Sequence, residues 1–131
     1  PVVDITINID GDIIEDVVKE DTEMSTTFSS YQKLSARTLK ANPQLTNMAL
    51  GLAGETGEVI DHLKKYLFHG HTIDPEKVTE ELGDVLWYVA GLCTILGVDM
   101  ECVATGNIDK LKKRYPEGFD EEKSIERSGS N

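Results

Sequence analysis

Two short acidic motifs carry the chemistry that this sequence offers. Glu55-x-x-Glu58 and Glu81-x-x-Asp84 each set two carboxylates three residues apart, which on a helix places them side by side on one face. Gathered at one rim, such carboxylates repel one another by roughly 3 kcal/mol per pair at about 5 Å and an effective dielectric near ~20. A cation must relieve that repulsion. Hard oxygen donors select Mg²⁺, with Mn²⁺ as a substitute, and phosphate oxygens can complete the coordination shell. Either motif alone is ordinary on a solvated helix face. Their recurrence at matching phase on successive helices is what points to a metal site.

The positions around the motifs support that placement. Glu55, Glu58, His62 and Lys65 form one stripe of a predicted helix, beside an apolar stripe of Leu52, Val59, Ile60, Leu63 and Leu67. Glu81, Asp84 and Tyr88 form a second, beside Val78, Leu82, Val85, Val89, Leu92 and Leu96. Packing the two apolar stripes together would bring the acids to a common rim. Gly51 and Gly54 project to the same side as Glu55 and Glu58. Each costs about 1 kcal/mol against Ala in a helix, which implies either room for a ligand or close packing. Asn107, Lys110 and Arg114 make a third polar stripe, able to donate to phosphate oxygens.

The elements that must hold these stripes can be read from caps and breakers. A first helix is expected from about Thr27, behind a Ser/Thr cluster, with Asn42-Pro43 ending it. A second runs from about Thr46 to Phe68, before Gly70. Asp74-Pro75 starts a third, an N-cap followed by proline at the first helical position, which reaches Leu96 before Gly97. The fourth starts at Asp99 and must stop at Tyr115, because Pro116 follows. The fold class expected is all-α and four-helix bundle-like, over residues 27–116. Before it, residues 1–26 read as an arm containing β-structure, since Val3, Ile5, Ile7 and Ile9 alternate with polar residues and Asp10-Gly11 supplies a turn. Residues 117–131, rich in charge and Ser, read as an exposed tail.

Composition bounds the function. The 131 residues suffice for one domain and one active site, and scarce aromatics with 39% hydrophobic residues suit a core of packed helices. A net charge of -11 opposes unassisted binding to nucleic acid or to an anionic membrane. Cys93 and Cys102 form no CxxC pair and read as reduced thiols. No run of apolar residues long enough to span a bilayer occurs, so a cytoplasmic protein is expected. His69 and His71 fall in the loop after the second helix, as phosphate contacts or as solvated histidines. Trp87 faces away from the core stripe, which suggests a base-stacking wall or a subunit interface. A redox di-metal site of the ferritin kind lacks its Glu-x-x-His motif here. A non-enzymatic helical interaction module remains the other class of reading.

Three ordered blocks add a family likeness. Leu50-Gly-Leu-Ala-Gly-Glu-Thr-Gly-Glu-Val-Ile-Asp61, then Glu80-Glu-Leu-Gly-Asp-Val-Leu-Trp-Tyr88, then Asn107-Ile-Asp-Lys-Leu-Lys-Lys-Arg-Tyr-Pro116 resemble the MazG-like nucleotide pyrophosphohydrolases. These belong to the all-α NTP pyrophosphatase superfamily, marked by ExxE, a spacer and ExxD; here the spacer is residues 59–80. The resemblance covers roughly residues 27–127 and implies nothing for the arm. It implies that Glu55, Glu58, Glu81 and Asp84 ligate Mg²⁺ on a nucleoside triphosphate. Water would attack the α-phosphorus, with Glu55 or Glu58 positioning it and pyrophosphate leaving. It also implies that Lys65, Asn107, Lys110 and Arg114 balance phosphate charge, that Tyr88 packs on the sugar or base, and that Gln32 reads a nucleobase edge. A homotetramer or homodimer and a house-cleaning action on canonical or damaged dNTPs are the further expectations. dUTP pyrophosphatase and phosphoribosyl-ATP pyrophosphohydrolase are the alternatives within the superfamily.

Overall fold

Helix ends in this chain are written locally, in side chains that satisfy the orphan backbone groups of a first turn. The computed structural model describes residues 5–7, 13–16 and 25–129. In α1 (Phe28–Ala36), Thr27 and Ser30 form a reciprocal capping box. The longest helix, α2 (Leu45–Phe68), follows Gln44, which makes no side-chain cap. In α3 (Pro75–Leu96) the Asp74 carboxylate accepts from the backbone N–H groups of Glu76 and Lys77. Gly97, at φ 69°, closes that helix in the left-handed conformation that a Cβ disfavours. In α4 (Met100–Arg114) Asp99 accepts from the N–H of Glu101.

The stretch after Pro116 departs from expectation. Instead of an irregular tail it carries a fifth helix, α5 (Glu121–Ser128), which is almost wholly exposed. Asp120 caps it by accepting from the Lys123 N–H, acids occupy its first turn and Arg127 its last. That charge order complements the helix dipole, so the polar composition that suggested a tail is also that of a short solvated helix. Before α1, β1 (Ile5–Ile7) and β2 (Ile13–Asp16) pair antiparallel, Ile5 opposite Asp16 and Ile7 opposite Ile13, with a register irregularity after Thr6. Val3, Ile9 and the Asp10-Gly11 turn of the expected arm lie outside the described residues.

The fold is all-α, as expected, with α2 and α3 as its central packed pair. Short loop 69–74 folds α3 back along α2, so Gly51 meets Tyr88 at one end of the pair and His62 meets Glu81 further along. α1 packs on α3. After Gly97, however, the chain turns by 105° between α3 and α4, and α4 packs against α1 rather than lying beside α2 and α3. Two residues of α1 hold this elbow. Ser29 donates its hydroxyl to Asp99 and its backbone N–H to Glu101, and the Ser29 and Glu101 donors hold the Asp99 carboxyl below its ordinary range. Gln32 donates from Nε2 to the Val98 carbonyl at 2.9 Å and to Thr94 Oγ1 at 3.3 Å, and its Oε1 accepts from the Met100 N–H at 2.8 Å.

The core is small. Among the described residues Met48, Ala90, Cys93 and Met100 are the buried hydrophobics, with Tyr31, Leu86 and Val89 packed around the last three. The terminal methyl of Met48 sits where a Cβ on Gly91 would be, which brings α2 and α3 close at that point. Much of the expected apolar stripe is exposed instead, including Ile60, Leu67 (62%) and Leu82. Neither cysteine is in a disulfide; Cys93 is buried, which raises its thiol pKa, and Cys102 is exposed. Among the described residues no single helix is long and apolar enough to cross a membrane.

Candidate metal centre

Where α2 and α3 face each other, the acids converge. One carboxylate oxygen from each of Glu55, Glu81 and Asp84 lies within 4.8 Å of the other two. Glu55 and Glu81 are half-buried and Asp84 is exposed. Partial desolvation raises the Glu55 pKa above the ordinary carboxylate value, and the charges of Asp84, Glu81 and Glu58 push it in the same direction. Three hard oxygen donors in mutual repulsion, open to solvent on one side, fit a divalent ion of the Mg²⁺ or Mn²⁺ type. Glu58 stands one turn further along α2, exposed and outside this tight grouping, yet close enough for its charge to act on Glu55.

Other predicted site residues flank the cluster. Tyr88 lies over Gly51, so close that a methyl group at Gly51 would overlap its ring. Close packing is therefore the reason for Gly51, whereas a Cβ at Gly54 would meet open space. Trp87 donates its indole N–H to Thr38 Oγ1 at 2.8 Å, and its ring stands edge-on to Tyr88 with centroids 4.9 Å apart. Both rings line a cavity of about 380 Å³ with Asn42, Asn47 and Lys40. Lys65 pairs with Asp61 at 2.5 Å, and Lys64 does so at 3.0 Å. These two contacts hold the Asp61 carboxyl at about 2.

Four residues expected at the site make no contact with the acids. Asn107, Lys110 and Arg114 are exposed on α4, and among the described residues no hydrogen bond or ion pair joins them to the cluster, because α4 has turned away. Gln32 has its amide committed to the α3–α4 elbow, which leaves it ill placed to read a nucleobase edge. Sequence reasoning assigned no role at the site to two neighbours. Tyr31 of α1 is held with its phenol pKa raised by burial and then by the Asp84 charge. His62 lies with Nε2 3.5 Å from Glu81 Oε1. Its position in the acidic stripe signalled His62, while nothing in the local pattern of α1 signalled Tyr31.

Comparison with known proteins agrees with this geometry. The MazG nucleotide pyrophosphohydrolase domain matches residues 44–119, a span that holds both acidic motifs and the helices bearing them. Gene 37 protein of Mycobacterium phage L5 is 35% identical over 91 residues, covering 66% of this chain and 75% of the phage protein. An all-helical scaffold, paired acidic motifs on facing helices and a domain match across both together place this chain in the MazG nucleotide pyrophosphohydrolase family.

Proposed function

We propose that this chain is a Mg²⁺-dependent hydrolase of (deoxy)nucleoside triphosphates, releasing the monophosphate and pyrophosphate, with canonical or damaged dNTPs as its substrate class. The observation that carries this reading is the convergence of Glu55, Glu81 and Asp84 within 4.8 Å on facing helices. In a chain of net charge -11, an anionic substrate needs such a site to be held at all.

Magnesium held by Glu55, Glu81 and Asp84 would neutralise phosphate oxygens and lower the pKa of water nearby. The chain's own residues do the rest. Glu58, exposed and outside the tight trio, is free to orient a water and accept its proton. The water oxygen bonds to the α-phosphorus, the bond to the bridging oxygen breaks, and the electron pair leaves on pyrophosphate. Tyr88, fixed over Gly51, offers a face to the sugar or base. Lys65 is paired with Asp61 and would reach phosphate only by exchanging that partner.

The exposed apolar surface supports self-association, as a homodimer or homotetramer. Leu50, Ile60, Leu67, Phe68 and Leu82 remain exposed on α2 and α3, a large apolar area for a lone soluble chain. A second copy could also bring the Asn107, Lys110 and Arg114 stripe to the acids. The proposed setting is the cytoplasm, where nucleotides and magnesium are both available.

A nucleotide panel tests the reading: purified protein with Mg²⁺, each canonical dNTP, dUTP and phosphoribosyl-ATP, with monophosphate and pyrophosphate quantified. Equimolar products from at least one nucleotide, abolished by chelation, are expected. Release from none of them would favour a non-enzymatic helical module.

A further inference from the structure

The C-terminal end of α4 carries an apolar groove of about 400 Å³, lined by Ile108, Leu111, Lys112, Tyr115, Gly118 and Phe119. Ile108, Leu111 and Phe119 are exposed there, Phe119 by 74%. We propose that this groove docks the chain's own N-terminal arm, with the β1–β2 hairpin seated on it. The inference is independent of the pyrophosphohydrolase reading. It gives the arm, which lies outside the matched family domain, a place on the helical body.

The groove is a built face rather than scattered apolar residues. Ile108, Leu111, Lys112 and Tyr115 recur at the i, i+3, i+4, i+7 spacing of one helix side, and the Phe119 ring, 5.4 Å from that of Tyr115, closes the far end. α4 packs on α1 at its opposite end, where Ser29 meets Asp99 and Glu101.

Charge selects the occupant. Lys112 is the one charged residue lining the groove. With Lys110, Lys113 and Arg114 it gathers four cations in a strongly acidic chain, and none of them makes an ion pair among the described residues. Residues 1–26 hold eight acids against Lys19 alone, so a fifth of the chain carries most of its net charge of -11. The apolar residues of the same arm are chiefly Val and Ile. The hairpin register sets Ile7 opposite Ile13 and Ile5 opposite Asp16, aliphatic residues and an acid together. An acidic, aliphatic segment thus stands in the same chain as an apolar groove with cations at its edge.

Reach and need agree. The Ser29 N–H bonds to Glu101, so the arm leaves the helical body beside the first turn of α4. From Glu101 to Leu111 is about 15 Å along the helix, and the chain from Ser29 back to Asp16 can span up to about 40 Å when extended. A hairpin of two short strands is marginal by itself and gains stability from a surface to pack on. A second copy fits this face less well. Set there by a two-fold axis, it would bring the same four cations against these, and like charges oppose that contact.

Hydrogen exchange and carbodiimide cross-linking of the full chain test the proposal. The amides of Ile5–Ile7 and Ile13–Asp16 should exchange about tenfold faster in Phe119→Ser than in wild type, the scale of one large apolar side chain lost from a contact. Lys112→Glu should speed them about threefold, the scale of an exposed ion pair. Both side chains are exposed, so helicity by circular dichroism should not change. Carbodiimide should join acids of the arm to Lys112 or Lys113, and Phe119→Ser should lower that yield. When isotopically heavy and light chains are unfolded and refolded together, each arm–α4 cross-link should hold a single label. Mixed-label cross-links would seat a second copy's arm in the groove and overturn the proposal. Equal exchange in wild type and both variants, or cross-links from the arm to other helices alone, would overturn it as well.

Discussion

Gly51 lies directly under the ring of Tyr88, leaving no space for even a methyl group between α2 and the aromatic edge. This contact sets the helix separation at one end of the acidic cluster, one turn from Glu55 and from Asp84. Gly51→Ala must displace the ring, and overpacking of this kind costs about 1–3 kcal/mol. The urea midpoint should fall accordingly, and adding Tyr88→Ala to the same chain should recover part of the loss. An unchanged midpoint for Gly51→Ala would mean that the ring does not rest there.

Glu55 makes stability depend on pH in a defined direction. Its carboxyl pKa is raised in the folded chain by desolvation and by Asp84, Glu81 and Glu58. The folded state therefore favours the protonated form, so stability is fully present below the ordinary value of 4.5 and is lost as pH rises through the raised value. Without divalent ions, Glu55→Gln should melt at a higher temperature than wild type at pH ~7, and the gap should close near pH ~4. Adding Mg²⁺ should raise the wild-type melting temperature more than that of the variant. A variant that melts lower than wild type at neutral pH would contradict the repulsion argument.

Gln32 ties three elements together, with its amide bonded to Val98, Thr94 and Met100. Gln32→Ala leaves the Met100 N–H and the Val98 carbonyl without their partner, at a cost of about 1–3 kcal/mol. Gln32→Glu keeps an acceptor for Met100 but puts a carboxylate oxygen against the Val98 carbonyl, so it should not rescue. Chemical denaturation of the two variants measures both effects. A pure base-reading role would instead leave stability untouched and change only the nucleotide preference.

Glu58 is the carboxylate outside the tight trio. Glu58→Gln should reduce kcat by roughly 10²–10⁴-fold, the range for a lost general base. Helicity by circular dichroism and the assembly state should not change, because the side chain is exposed. Full activity in this variant would remove Glu58 from the chemistry and leave Glu55 to position the water.

Much of the local architecture was legible from residue order. Asp74-Pro75, Asp99 and Gly97 mark the helix ends they were expected to mark, because capping depends on a few neighbouring side chains and their own backbone. The carboxylate phase of α2 and α3 was legible for the same reason, since helical spacing alone decides which residues share a face. Gly51 stood open between ligand space and packing until Tyr88 was seen above it. Trp87 was read as outward-facing, but Thr38 supplies a partner from a segment that its own helix cannot reveal. α5 was missed because its polar composition hid a properly capped helix.

By itself the sequence determined that helices bearing Glu55, Glu58, Glu81 and Asp84 would form, and where each begins and ends, since those outcomes rest on contacts within a turn or two. Tertiary structure decided which acids meet. It drew Glu55, Glu81 and Asp84 together while leaving Glu58 one turn outside, and it turned α4 away with Asn107, Lys110 and Arg114. Those choices depend on how closely Gly51 and Gly91 let α2 approach α3 and on where Gln32 pins the α3–α4 elbow. Such contacts join residues far apart in the chain, so no periodicity along it can express them.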